Sequence, residues 1–309
     1  MNLKYIVDTK NENKTLKSIL KNNLYISNIL QYNLIKFNKI LINGKICFPN
    51  IKLKEKDEIT IILDNDTDIN STNLNFNNKF IPYNFDINIL YEDDYLLIVN
   101  KPDNMPAHPC VSNYTTTLSN AVLSYFSKQN INTIHLITRL DKNTTGICIF
   151  AKHKYIQELF VRKKDKIKLT KEYLALVYGI LEKDHDIINK NIKRADDSII
   201  LRTTCSESEG DIAITEYYTL KRNIESNYSL ARVILHTGRT HQIRVHFASN
   251  NHTLLGDDLY ANNENKSHIL KYITRQALHS HKISFYHPIT DKYIEIIADI
   301  PEDIKKLID

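Results

Sequence analysis

The chain has 309 residues, enough for one large unit plus a small one or for two ordinary ones. With 42% hydrophobic and 25% charged residues it is far from a disordered composition, and no apolar run reaches the ~20 residues of a membrane span. MNLKYIVDTKNENK lacks the apolar core of a secretory signal, and the four dispersed cysteines form no CxxC pair, so a reducing, cytoplasmic setting is expected without a disulfide framework or zinc site.

From Thr15, the residues Leu16, Ile19, Leu20 and Leu24 recur at helical spacing, and Ser27 is placed to cap a second helix carrying Ile29, Leu30 and Leu34. KILINGKICF predicts a hairpin around Asn43-Gly44, and EKDEITIIL a further strand. Residues 1–64 are thus expected to form a small α+β module. Its first 63 residues carry eleven lysines, no arginine and five acids, about +6 against +5 for the whole chain. Such a segment suits phosphate-backbone contact, although a solvated lysine surface explains the charge alone equally well. Residues 65–85, rich in Asn, Asp, Ser and Thr, read as a linker.

The remainder, 86–309, is predicted as one domain. INILYEDDYLLIVNKP reads as strand, acidic turn and strand, TTLSNAVLSYF as a threonine-capped helix, GICIFAK as a buried strand and KYIQELFV as a helix. EYLALVYG, AITEYYTLKR and YSLARVILH are strand-like, HTGRTHQIRVHFA runs from a turn into a short helix, and KISFYHPITDKYIEIIA is a hairpin. Many strands without regular βαβ alternation predict an α+β fold with a mixed, largely antiparallel sheet.

Three segments carry chemistry. In ITRLDKNTTG, Asp141 lies at a strand end or loop, where a carboxylate serves as nucleophile, general base, metal ligand or turn cap; taken alone, the turn cap is favoured. Arg139, the first of only nine arginines, stands two residues earlier and so on the same side of an extended segment. In HTGRTHQIRVHF, the five-residue spacing of His236, His241 and His246 turns successive rings away from one another, so no metal is expected. Arg239, near a helix start, is suited to phosphate together with free backbone N–H groups. Arg244, among Ile243, Val245 and Phe247, is expected to be buried and to need a carboxylate, with Asp141 the natural candidate. In KLTKEYLALVYG, Tyr173 heads an apolar strand, where filling the core is locally the stronger reading and stacking on a base the weaker.

In order and spacing, ITRLDKNTTGICIFAK, KEYLALVYG and HTGRTHQIRVHF resemble the RluA-type pseudouridine synthases, with ILYEDDYLLIVNKPDNMPAHP, LLGDDLY and RQALHSHKISFYHP as flanking pieces. The resemblance covers residues 86 to about 300, and the N-terminal module resembles the alpha-L RNA-binding domain often paired with this family. It implies an RNA substrate, ribosomal RNA of the large subunit first and transfer RNA second, and no cofactor; the oligomeric state is open, with a monomer as the default expectation. It assigns Asp141 to attack on the ribose or assisted elimination, Arg244 as the partner that holds Asp141 ionised, and Tyr173 to stacking on uracil and help in removing the carbon 5 proton. Arg139 would fill the space left by the flipped base or hold the displaced backbone; Arg239, Thr145 and Lys45 are further expected RNA contacts. Thr138, Asn104 and Thr145 depart from the usual residues without removing a group of chemical role. A non-catalytic RNA-binding protein, and a glycosidic hydrolase with Glu172 or Asp257 as second carboxylate, are the rival readings.

Overall fold

A computed structural model of the chain describes residues 2–64, 81–110, 113–261 and 272–308. The N-terminal part comprises β1 (Asn2–Ile6), α1 (Leu16–Asn22), α2 (Asn28–Lys36), β2 (Ile40–Ile42), β3 (Lys45–Ile46) and β4 (Glu58–Ile62), its strands ordered β1-β4-β2-β3. Both helices begin as their sequence demands: the Thr15 and Ser27 hydroxyls accept the N–H groups of Ser18 and Leu30. The β2–β3 turn is the expected Asn-Gly pair, with φ of 49° and 76° at Asn43 and Gly44. β1 escaped prediction. Its five residues find their partner in β4, more than fifty positions away.

The second part continues with β5 (Asn88–Glu92), β6 (Leu96–Lys101), α3 (Leu118–Ser127), β7 (His135–Leu136), β8 (Thr145–Ala151), α4 (Lys154–Arg162), α5 (Lys164–Ile167) and β9 (Thr170–Tyr178). Then follow β10 (His185–Asn189), β11 (Asn191–Arg194), β12 (Arg202–Cys205), β13 (Ile214–Asn223), β14 (Tyr228–Leu235), α6 (Gln242–Ala248), β15 (Leu278–Tyr286), β16 (Tyr293–Ile297) and α7 (Glu302–Ile308). A ten-stranded sheet runs β10-β13-β14-β9-β15-β8-β6-β5, with β16 beside β15 and β7 beside β8, and β11 and β12 form a separate ribbon. All its pairings are antiparallel except β15 with β8, so the expected α+β class and largely antiparallel sheet hold.

Every residue of β8 is buried, as its unbroken apolar run requires, because helices or loops cover both faces there. One apolar core under β8 and β15 is continuous with the core of the N-terminal part, joining Leu16, Leu20 and Leu34 to Ile149, Ile156 and Phe285. Two hydrogen bonds cross the same junction, Tyr155 Oη to the Leu24 carbonyl (2.8 Å) and Ser27 Oγ to Glu158 Oε1 (3.1 Å). Of the expected linker, 65–80 lie outside the described residues. Ile81 and Tyr83 are docked on α3 by paired bonds with Asn120. Among the described residues no helix is long and apolar enough to cross a membrane.

Candidate active site

Asp141 stands in the loop between β7 and β8, on the wall of a cavity of about 570 Å³. Leu140 is buried while Arg139 is exposed and Asp141 partly so, an alternation that puts both charged side chains on the cavity side. Buried polar groups fix the loop from behind. Lys101, 1% exposed, donates to the carbonyls of Pro102 (2.7 Å), Met105 (2.8 Å) and Lys142 (2.8 Å). Its burial lowers its pKa to about 8. Arg275 donates to the Asn143 carbonyl (3.1 Å) and is itself held at two points by Asp303 of α7 (2.8 and 2.9 Å). Gln276 completes the frame with a bond to Thr144 Oγ1 (3.2 Å).

Arg244, on α6, is buried as expected and places Nη1 3.3 Å from Asp141 Oδ2. Asp141 is not its principal partner. The Arg244 fork is held by Asp257, Nε to Oδ2 at 2.7 Å and Nη2 to Oδ1 at 2.8 Å. Burial alone would depress the guanidinium pKa, but the hydrogen bonds and charge of Asp257, with Asp141 adding to them, leave it raised. Asp257 also accepts the N–H groups of Leu259 and Tyr260, so it is fixed before it fixes the arginine. Its side chain is fully enclosed at 0% exposure, whereas that of Asp141 is 26% exposed. Tyr260 packs over the guanidinium, 5.1 Å from ring centroid to Cζ, and its hydroxyl bonds His241 Nδ1 at 2.9 Å.

His241 places Nε2 3.9 Å from Asp141 Oδ2 and adopts a left-handed φ of 57° just before α6. Its burial lowers the ring pKa, more than the Asp141 charge restores. The three histidines of the segment diverge: His236 meets Glu216, His241 meets Asp141 and Tyr260, and His246 bonds Thr215 and the Lys190 carbonyl.

Tyr173, on β9, lines the cavity at 6% exposure, with its hydroxyl hydrogen-bonded to Ser280. Burial, with Cys148 and Asp141 nearby, pushes the phenol well above its ordinary pKa of 10. Arg239 also lines the cavity, but α6 starts only at Gln242, and the Arg239 N–H is already donated to Gln242 Oε1 (2.9 Å). Its guanidinium instead bonds the Ile212 carbonyl (3.0 Å) and faces Asp211 (3.5 Å).

Two expected RNA contacts are not brought to the cavity. Thr145 is 6% exposed and its hydroxyl is hydrogen-bonded with His279 Nδ1 (2.9 Å), so its neighbour Thr144 lines the wall instead. Lys45 is exposed on β3 of the N-terminal sheet. Sequence reasoning also passed over His108 and Lys171, both on the cavity wall, where burial lowers the pKa of each and the Arg139 charge adds to the effect at His108. Asp257 does not suit the rival role of hydrolytic carboxylate, since both its oxygens are engaged by the Arg244 fork and its side chain is fully enclosed.

A family model described as RNA pseudouridylate synthase matches residues 95–249. The chain is 33% identical over 307 residues to the uncharacterized RNA pseudouridine synthase YhcT of Bacillus subtilis, spanning 99% of this chain and 96% of that protein. It is 33% identical over 289 residues to ribosomal large subunit pseudouridine synthase D of Pasteurella multocida, spanning 89% and 84%. Among solved structures, human RNA pseudouridylate synthase domain containing 4 has the same fold, with a TM-score of 0.55 at 20% identity over 71% of this chain and 90% of that one. The chain belongs to the RluA-type RNA pseudouridine synthases, isomerases that convert uridine in RNA to pseudouridine.

Proposed function

We propose that Asp141 is the carboxylate that acts on the ribose of a uridine drawn into the cavity. The observation that carries this is its position. Among the carboxylates bonded to Arg244, Asp141 is open to the cavity, while Asp257 is sealed behind it. An immobile guanidinium fixed by Asp257 offers Asp141 one charge-assisted contact and leaves its other oxygen for the substrate. Tyr173 provides a flat wall against which the uracil stacks while detached and rotated. Its raised pKa keeps it a neutral phenol, so stacking suits it better than uptake of the carbon 5 proton. Arg139 and Arg239 at the cavity supply cationic contacts for the flanking backbone. Replacing Asp141 by Asn should abolish pseudouridine formation while RNA affinity persists; turnover near the wild-type level would refute the role.

Large-subunit ribosomal RNA is the substrate we favour, because the Pasteurella multocida relative is named for it, with transfer RNA second. Mapping pseudouridine in both RNA classes from cells with and without the gene decides between them. We further propose that residues 1–64 form a lysine-rich RNA-binding module with Lys45 on its exposed hairpin, in a cytoplasmic enzyme. Its core is shared with the rest of the chain, so charge reversal at Lys45, rather than truncation, tests this. Unchanged RNA affinity at low salt would count against it.

A further inference from the structure

The positive charge of the chain is concentrated in two segments, of which the lysine-rich N-terminus is one. Residues 152–171 carry eight basic and two acidic side chains, a net +6, so that outside these two segments the chain totals −7. This second segment contains α4 and α5 and leads into the β9 strand of Tyr173. Part of its charge is neutralised or engaged: Lys152 pairs with Glu92 at 2.7 Å, and Lys163 and Lys166 lie over the Tyr25 ring of the N-terminal part. Arg162 makes only a 3.6 Å contact with Glu158 and is 43% exposed, and no carboxylate among the described residues pairs with Lys164 or Lys168, both exposed.

Against α4 lies a second cavity of about 420 Å³. Its apolar lining is Leu136, Ile137, Phe160, Val161 and Leu169, and its polar lining is Lys154, Gln157 and the Glu158–Arg162 pair; Lys164 and Lys168 follow two and six residues after Arg162. Ile137 and Leu169 line the catalytic cavity as well, so the two spaces adjoin across these side chains. Val161 is 74% exposed although it stands on a helix whose other apolar residues are packed inward. An apolar wall adjoining a nucleotide site, with the half-exposed Arg162 on it and the exposed Lys164 and Lys168 following in the chain, matches the needs of a single strand, whose bases and riboses seek cover and whose phosphates seek charge.

We propose that nucleotides flanking the target uridine leave the catalytic cavity over Ile137 and Leu169 and lie unpaired in this groove, their phosphates against Arg162, Lys164 and Lys168. The proposal rests on the cavity being the uridine site. Two full-length variants test it, Val161→Glu and the double change Lys164→Ala with Lys168→Ala, all at exposed positions away from the catalytic residues. The probe is protein-free large-subunit ribosomal RNA, together with fragments trimmed to short or long flanks around a mapped uridine. Both variants should raise KM on the long-flanked fragment with kcat unchanged, and match wild type on the short-flanked one. Binding of the long fragment supplies a readout independent of turnover. With about 0.7 counterions released per phosphate on single strands, losing two contacts makes the affinity drop from 50 to 200 mM salt about sevenfold smaller. Wild-type KM and salt dependence on the long fragment, or a deficit equal on both fragments, overturns the groove. Failure of wild type to form pseudouridine in any of these RNAs would instead count against the substrate assignment, with the binding measurement still judging the groove.

Discussion

Replacing Asp257 by Asn changes one atom type in the most enclosed ion pair of the site. The amide keeps the shape but turns an NH2 toward a guanidinium that can only donate, so one of the two short bonds at 2.7 and 2.8 Å is lost and Arg244 stays buried at 3% exposure with its charge half-answered. Removing one partner of such a pair costs about 3–5 kcal/mol. At roughly 2–4 °C per kcal/mol for a domain of this size, the melting temperature should fall by about 6–20 °C. The same change at Asp141 removes one 3.3 Å contact from a side chain that is 26% exposed, and should cost about 1 kcal/mol or less. The two aspartates are therefore expected to be opposite in kind: Asp141→Asn should give a stable, inactive protein, and Asp257→Asn an unstable one. The folded fraction of Asp257→Asn should also turn over about a hundredfold more slowly, since a guanidinium displaced by an ångström misplaces the carboxylate it orients. Urea or thermal unfolding followed by circular dichroism, run beside a tritium-release assay on 5-tritiated uridine in RNA, reads both quantities. Equal destabilisation by the two changes, or an Asp257→Asn protein as stable as wild type, would refute this account of the arginine.

Three other outcomes follow from the geometry. Burial holds the His279 ring at about pKa 4 against an ordinary 6.5, so the unfolded chain takes up the proton first; the contribution is intact above pH 6.5 and is lost as pH falls toward 4, about 2 kcal/mol by pH 5. His279→Asn, which keeps a partner for Thr145, should flatten that part of the acid limb in denaturation at pH 5 and 7, and an unchanged limb would contradict it. Gly146 has a φ of +108°, and a Cβ there would lie 2.2 Å from the Ser280 carbonyl oxygen, so Gly146→Ala should destabilise by more than about 4 kcal/mol, seen as loss of folded soluble protein. Tyr173→Phe retains the ring and loses only a hydroxyl held neutral by burial, so kcat should fall by less than the hundredfold expected of a lost general base; a larger fall would make the hydroxyl a proton carrier.

Much of this was legible in the residues because the signals are local. Asn43-Gly44 is a strong local turn signal, the unbroken β8 run needs cover on both faces, and an arginine inside Ile243–Phe247 calls for a carboxylate to balance its charge. What stayed hidden depends on partners distant in sequence. β1 is a strand only because β4 returns beside it, and the four residues of α5 are fixed by their place between α4 and β9 rather than by any period of their own. Arg244 showed that a carboxylate was needed but not how many. Its fork has two sides, and Asp257, thirteen residues on, approaches only when the chain after α6 folds back. The sequence around Leu254-Leu255-Gly256-Asp257-Asp258 does not distinguish the buried aspartate from its neighbour, whose side chain is 76% exposed.

The apolar core common to the N-terminal helices and β8 makes the chain a gauge of fixed length. Leu16, Leu20 and Leu34 cannot shift against Ile149 and Phe285 without opening that core, so the lysine-bearing hairpin and Asp141 keep one separation and one angle. On the RNA-binding role proposed for the hairpin, an RNA would be accepted only where the feature it holds stands at the matching distance from the uridine that enters the cavity. Selection of one uridine among many identical ones would then be a matter of measurement, carried out by the stiffness of the protein as well as by contacts to the base.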